Sequence, residues 1–348
     1  QPFGANEKFT DLNPDRNDSD EWGEWTGRVV LDWSPQPGWS DETLVYGSLA
    51  RGYKGGGFNP PFDPREFPNT SASFKPEFVN AVEIGNKNQL LGNRLQANLT
   101  AFYYDYSDLQ ISRIINRTSF NDNTDAEIYG LESEFLFSPD GNWLLNANLA
   151  LLHTGIKDFQ AVDTRDPTQG SSAATLLKEN QNAANCVVFH NGAPAPDLPR
   201  FNSCTAPRLA NGEPLPAPYT VGDGIQVDLD GNELRNSPAT TINLGAQYNW
   251  QLDRHRLSAR VDYYWQDEMW GREFNRDPID RLDDFEVWNA QLTLTPDNDS
   301  WYLRAYLKNI TDEEAIAGMY VSDPSSGLFT NVFPIEPRLY GITVGYTF

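Results

Sequence analysis

The closing stretch, Leu339-Tyr-Gly-Ile-Thr-Val-Gly-Tyr-Thr-Phe348, decides the fold. Read with period two, Tyr340, Ile342, Val344, Tyr346 and Phe348 share one face, and Leu339, Gly341, Thr343, Gly345 and Thr347 share the other. Side chains on a pleated strand point alternately to opposite faces, so ten residues of such alternation predict a strand. One face is apolar and aromatic, the other small and polar. A wall between lipid and a water-filled lumen demands that division.

The same period recurs along the chain. Trp25, Gly27, Val29, Leu31 and Trp33 predict a first strand, and Thr43–Tyr53 and Phe78–Asn88 a second and third. The fourth is the clearest: Leu95, Ala97, Leu99, Ala101 and Tyr103 alternate with Arg94, Gln96, Asn98 and Thr100, continuing towards Ile111. The fifth spans Ala126–Phe137, with Glu132 and Glu134 opposite Leu131 and Phe135, and the sixth runs through Trp143, Leu145, Ala147, Leu149 and Leu151. Four more follow, at Ile242–Trp250, Leu257–Trp265, Trp288–Leu294 and Trp301–Leu307, before the closing strand. The connections alternate in length. Those at 34–42, 89–93, 138–141, 251–255 and 296–300 are short; those at 54–77, 114–124, 158–238, 271–284 and 312–337 are long. Short turns at one end and long loops at the other are the habit of outer-membrane barrels. The charged residues on several polar faces suit a water-filled lumen, not a packed core.

The reading is therefore an all-β, membrane-spanning, antiparallel up-and-down β-barrel wall of eleven strands. If the long loops are extracellular, the last strand runs inward, and so does the first. Single-chain bacterial barrels have even strand numbers, so the expectation is the C-terminal half of a larger barrel across 1–348. Residues 1–23 are then a partial extracellular loop and 158–238 a long extracellular loop. Gln1-Pro-Phe-Gly4 lacks the basic start and apolar core of a secretion signal, which predicts a processed or partial chain.

Composition narrows the function. A net charge of -23, from 49 acidic against 26 basic residues, excludes the basic footprint of a nucleic-acid binder. The 10 Trp and 15 Tyr supply the amphipathic rings that gather at membrane interfaces. Cys186 and Cys204 stand in the 158–238 loop, and an even pair there predicts a disulfide and an oxidising compartment. Gly52-Tyr-Lys-Gly-Gly-Gly57 lacks the Lys-Ser/Thr and the helix of a phosphate loop. Asp228-Leu-Asp-Gly-Asn232 begins like a calcium loop, but Ala239 occupies the position of the bidentate acid. His153, His190 and His255 form no recognisable catalytic set. No catalytic residue, metal or cofactor is expected.

Several motifs taken in order carry a family resemblance. Val45-Tyr-Gly-Ser-Leu-Ala-Arg-Gly-Tyr-Lys-Gly-Gly-Gly-Phe-Asn59, Lys75-Pro-Glu77, Glu83-Ile-Gly85, Leu131-Glu-Ser-Glu134, Asn236-Ser-Pro238, Leu307-Lys-Asn-Ile-Thr-Asp312 and the terminal Phe348 resemble the C-terminal half of TonB-dependent outer-membrane receptors. The resemblance implies strands 12–22 of a 22-stranded barrel, with the plug, the TonB box and the first eleven strands outside these 348 residues. It implies placement in the bacterial outer membrane, long loops extracellular and C-terminus periplasmic. Its implied partners are lipid and lipopolysaccharide, the remaining strands and plug, the TonB complex and the barrel-assembly machinery. Ile342, Val344, Tyr346 and Phe348 resemble the signal that this machinery reads.

The function so implied is active uptake of a scarce nutrient, above all a ferric siderophore or similar iron chelate. A passive porin or structural barrel partner is the alternative, and an outer-membrane enzyme a weaker one. Candidate ligand contacts at the long-loop ends are Arg51, Tyr53, Lys54, Phe58, Arg113, Trp270, Arg272, Tyr320 and Phe329. Arginine would pair with carboxylate or catecholate oxygens, and the rings would stack on the organic part. The competing reading for the rings is the interfacial aromatic girdle.

Overall fold

A computed structural model describes residues 18–60, 71–115, 118–180 and 183–347. Its main feature is one eleven-stranded antiparallel sheet in which each strand pairs with the next in sequence. The strands are β1 (Gly27–Trp33), β2 (Glu42–Lys54), β3 (Glu77–Leu90), β4 (Leu95–Ile115), β5 (Thr118–Phe137), β6 (Trp143–Lys157), β7 (Thr240–Leu252), β8 (His255–Gln266), β9 (Phe285–Pro296), β10 (Trp301–Lys308) and β11 (Leu339–Tyr346). The sheet is open, with β1 and β11 at its two edges. In an antiparallel meander every second connection lies at the same end, so the long loops gather at one end and the short turns at the other.

The register aligns the apolar residues into rows. Val29 pairs with Leu49, Leu49 with Val82, Val82 with Tyr103, and Tyr103 with Tyr129. This outer face stays bare: Leu31, Ile84, Ile342 and Val344 are each more than 60% exposed. Burying a side chain of that size in an apolar medium is worth about 1.5–3 kcal/mol, so the face is stable only against lipid or protein. Aromatic rings bound it at both ends. Towards the long loops, Tyr129 packs on His153 at 4.6 Å and Tyr263 on Trp288 at 4.6 Å. Towards the short turns, Trp143 packs on Tyr248 at 4.8 Å and Tyr248 on Trp250 at 4.7 Å. From Trp143 to His153 the strand rises about 33 Å, or about 25 Å after a tilt of roughly 40°. That matches the apolar band of an outer-membrane barrel.

The inner face is polar and internally bonded. Tyr104 donates to Glu83 at 3.0 Å. Arg260 donates to Asp262 at 3.0 Å and to Asn146 at 2.8 Å. The glycines of the closing stretch also belong here. Tyr306 pairs with Gly341 and Tyr302 with Gly345, and each ring lies where a Cβ on the glycine would stand.

The long connections are not bare loops. Residues 114–124, expected as a polar loop, continue the ladder of β4 and β5 to Ile115 and Thr118. Polar partners support this extension: Asn59 donates to the Asn121 carbonyl at 2.9 Å, and Asn123 to the Asp108 carbonyl at 2.8 Å. The 158–238 segment, which shows no sustained period, folds into a four-stranded sheet of Phe201–Asn202, Ala174–Glu179, Asn185–Phe189 and Thr220–Gly222. Cys186 and Cys204 are disulfide-bonded inside it, packed with Leu177 and Val188. A second cluster, Ile156, Phe159, Ala161, Leu229 and Phe274, joins this segment to the 271–284 loop, with Ile111 of β4 packed against it. The buried apolar residues of the described chain concentrate at this end, forming a cap above the sheet.

Candidate ligand-binding cleft

The cap is held by an interlocked set of buried ions. Asp163 and Asp280 are both fully buried. Arg272 bridges them, 2.7 Å from Asp163 and 3.2 Å from Asp280. Arg165 meets Asp280 at 3.0 Å and also bonds Thr330, while Arg276 meets Asp163 at 3.2 Å and Asp166 at 3.4 Å. Three long connections thus share one network. Burial pulls the Arg272 guanidinium down, but the Asp163 and Asp280 carboxylates outweigh it, and its pKa lies above the usual arginine value. Burial and the neighbouring Arg272 charge hold Arg165 below it. Charges this far from water persist only when paired and hydrogen-bonded.

Arg113 reaches the same region through a local irregularity. Tyr106 pairs with Ala126, but Leu109 pairs with Thr124, so Ser107 and Asp108 stand opposite Asp125 alone. Asp108 takes the left-handed conformation, φ 55°, and its amide donates to the Asp125 carboxylate at 2.8 Å. One extra residue inverts the facing of all that follows. Arg113 would otherwise share the outer face of Leu99 and Tyr103. The bulge turns it inward, where its Nε donates to Asp122 at 2.6 Å.

Arg113 and Arg272 line one cleft with Arg235, Glu273, Phe274 and Tyr320, with a volume of about 120 Å³. A second cleft of about 210 Å³ adjoins it across Arg113 and Val162. Of the nine residues expected to contact ligand, Arg113, Arg272 and Tyr320 therefore come together. The others do not line this cleft. Arg51 stands on the outer face, its guanidinium 5.1 Å from the Trp25 ring and 4.6 Å from the Phe78 ring. Tyr53 packs on Phe78 at 5.7 Å in the same aromatic row. Lys54 faces inward and pairs with Glu77 at 3.6 Å. Phe58 lies 6.0 Å from the Trp22 ring. Trp270 belongs to a two-residue ladder with Arg281–Leu282, and Phe329 is exposed. Arg235, Glu273 and Phe274 were not anticipated. Arg235 sits one residue before Asn236-Ser-Pro238, so an entry motif into β7 marked its neighbourhood.

An open, up-and-down antiparallel sheet with a bare apolar exterior, aromatic borders and a bonded polar interior is a transmembrane β-barrel wall. A family model described as TonB-dependent receptor-like β-barrel matches residues 4–310, and the chain belongs to that family. Among solved structures it resembles the ferric yersiniabactin uptake receptor FyuA from Yersinia pestis, at 14% identity and TM-score 0.58, covering 92% of this chain and 36% of that one. The siderophore receptor PiuA from Acinetobacter baumannii aligns at 14% identity and TM-score 0.54, covering 92% and 35%. The copper transporter OprC aligns at 16% identity and TM-score 0.54, covering 93% and 39%. Identities this low establish shared fold alone. The chain spans little more than a third of the length of these structures. No curated protein matches it in sequence.

Proposed function

We propose that this chain forms part of a TonB-dependent receptor that takes up a scarce nutrient, a ferric siderophore or similar iron chelate, across the bacterial outer membrane. The observation that carries the reading is the cleft at the long-loop end of a receptor-family wall. There, Arg113, Arg235 and Arg272 converge beside the Phe274 and Tyr320 rings. Arginine and aromatic groups together suit one arm of an organic chelate that bears an anionic oxygen. In this reading the capped end is extracellular and the C-terminus periplasmic. Further strands and a plug complete the barrel, the plug links it to TonB, and lipid and lipopolysaccharide cover the outer face. Ile342, Val344 and Tyr346, all strongly exposed on β11, serve the assembly machinery; Phe348 lies outside the described residues. The reading is a receptor and transporter, not an enzyme.

The test is uptake of radiolabelled ferric chelates by cells with and without the full-length gene, each with and without a protonophore. Gene-dependent uptake abolished by the protonophore is the expected result. Uptake that survives loss of the proton motive force would assign a passive pore instead.

A further inference from the structure

The charges around the smaller cleft do not cancel in place. Arg113 is matched by Asp122, and Arg165, Arg272 and Arg276 are matched by Asp163, Asp166 and Asp280. Two lining residues are left over. Arg235 is exposed and makes no ion pair among the described residues. Glu273 is half-buried and makes none either. Both line the same cleft, yet they do not pair with each other. Glu273 feels the Arg272 charge beside it, but Arg272 is already held by Asp163 and Asp280. Arg235 is exposed at the cleft. Both can therefore take a counter-charge from a ligand, and partial burial at Glu273 raises its worth.

The space limits what can meet both. The cleft, about 120 Å³, is the smaller of the two and suits a head group, while the adjoining cleft of about 210 Å³ lies beyond Arg113 and Val162. Phe274, with Arg272 stacked on its ring at 4.7 Å, and Tyr320 give the cleft an aromatic wall, and the Ser112 and Thr164 hydroxyls a polar one.

We propose that this cleft is a subsite for a zwitterionic head group of the α-amino-acid kind, its carboxylate meeting Arg235 and its ammonium meeting Glu273. The proposal rests on the receptor reading and deepens it. The subsite takes one amino-acid arm of a larger ligand, with the apolar stem of that arm against Tyr320. A polyanionic ligand gains at Arg235 but meets repulsion at Glu273; a cationic one meets the reverse. The head group is thus selected by two opposed charges, a device that discriminates partly by penalising the wrong partner.

The experiment uses the detergent-purified full-length receptor and three probes: phenylalanine, N-acetylphenylalanine, which lacks the cation, and phenylalanine methyl ester, which lacks the anion. Titration calorimetry should show phenylalanine binding roughly tenfold or more tighter than either derivative, as expected for charge-assisted contacts. Arg235→Gln should bring phenylalanine down to the affinity of the ester, and Arg235→Lys should restore part of the loss. Glu273→Gln should bring it down to that of the acetyl derivative. Heat-modifiable gel mobility checks that each variant is folded. Equal binding of the three probes, no saturable binding of phenylalanine, or indifference to both variants would overturn the proposal. If that happens while protonophore-sensitive uptake persists, the subsite alone is wrong; loss of energised uptake itself would sink the receptor reading.

Discussion

The wall and the cap of this molecule solve opposite problems. Along β1–β11 the large apolar side chains point outward and stay exposed, while arginine, glutamate and tyrosine turn inward and bond to one another. Above them the order is reversed: Leu177, Val187, Val188 and Leu229 are almost fully buried, and Arg272, Asp163 and Asp280 enter the interior as a matched set. The wall is stabilised by backbone ladders and by an apolar solvent outside it. The cap is stabilised by its own core, as a domain in water is. The two regions should therefore respond differently to the same kinds of damage.

The largest expected effect falls on the ion network. Arg272→Ala leaves Asp163 and Asp280 buried with reduced compensation, a loss of about 3–5 kcal/mol for a broken buried pair. It should appear as accelerated hydrogen exchange across 158–166 and 271–284, with β4–β9 unchanged. If exchange rises throughout the wall as well, cap and wall are one cooperative unit and the contrast fails. Next comes the disulfide. Cys186→Ser with Cys204→Ser opens a loop of 18 residues' separation, worth on the order of 3 kcal/mol in the chain-entropy model. Limited proteolysis should then cut within 174–222 while the barrel strands stay intact. Resistance equal to the parent would show that the Leu177 and Val188 core holds without the bridge.

The same contrast governs how much could be read from sequence. A wall strand needs only period two, and that survives in ten residues, so all eleven strands emerge from alternation. The cap has no such local signal. Its core draws Ile111, Ile156, Leu229 and Phe274 from segments far apart, and Arg272 finds Asp163 across 109 positions. Residues 114–124 read as loop because polar residues dominate them, although Thr118–Thr124 each keep a ladder partner on β4. The site was partly legible by residue type and less so by direction. Arg51 and Tyr53 share the parity of Leu49, which places them on the outer face, and that parity is visible in the sequence. Arg113 has the opposite problem: one extra residue at Ser107–Asp108 reverses its facing, and nothing in the local composition announces it.

The central claim is that neighbouring residues of one strand meet lipid and water in turn. Single cysteines at Leu131, Glu132, Ser133, Glu134 and Phe135 of β5, placed in the full-length receptor in membranes with the native disulfide intact, test it with a water-soluble maleimide. The account predicts labelling at 132 and 134 and protection at 131, 133 and 135. Uniform labelling, uniform protection or the reversed pattern would contradict it.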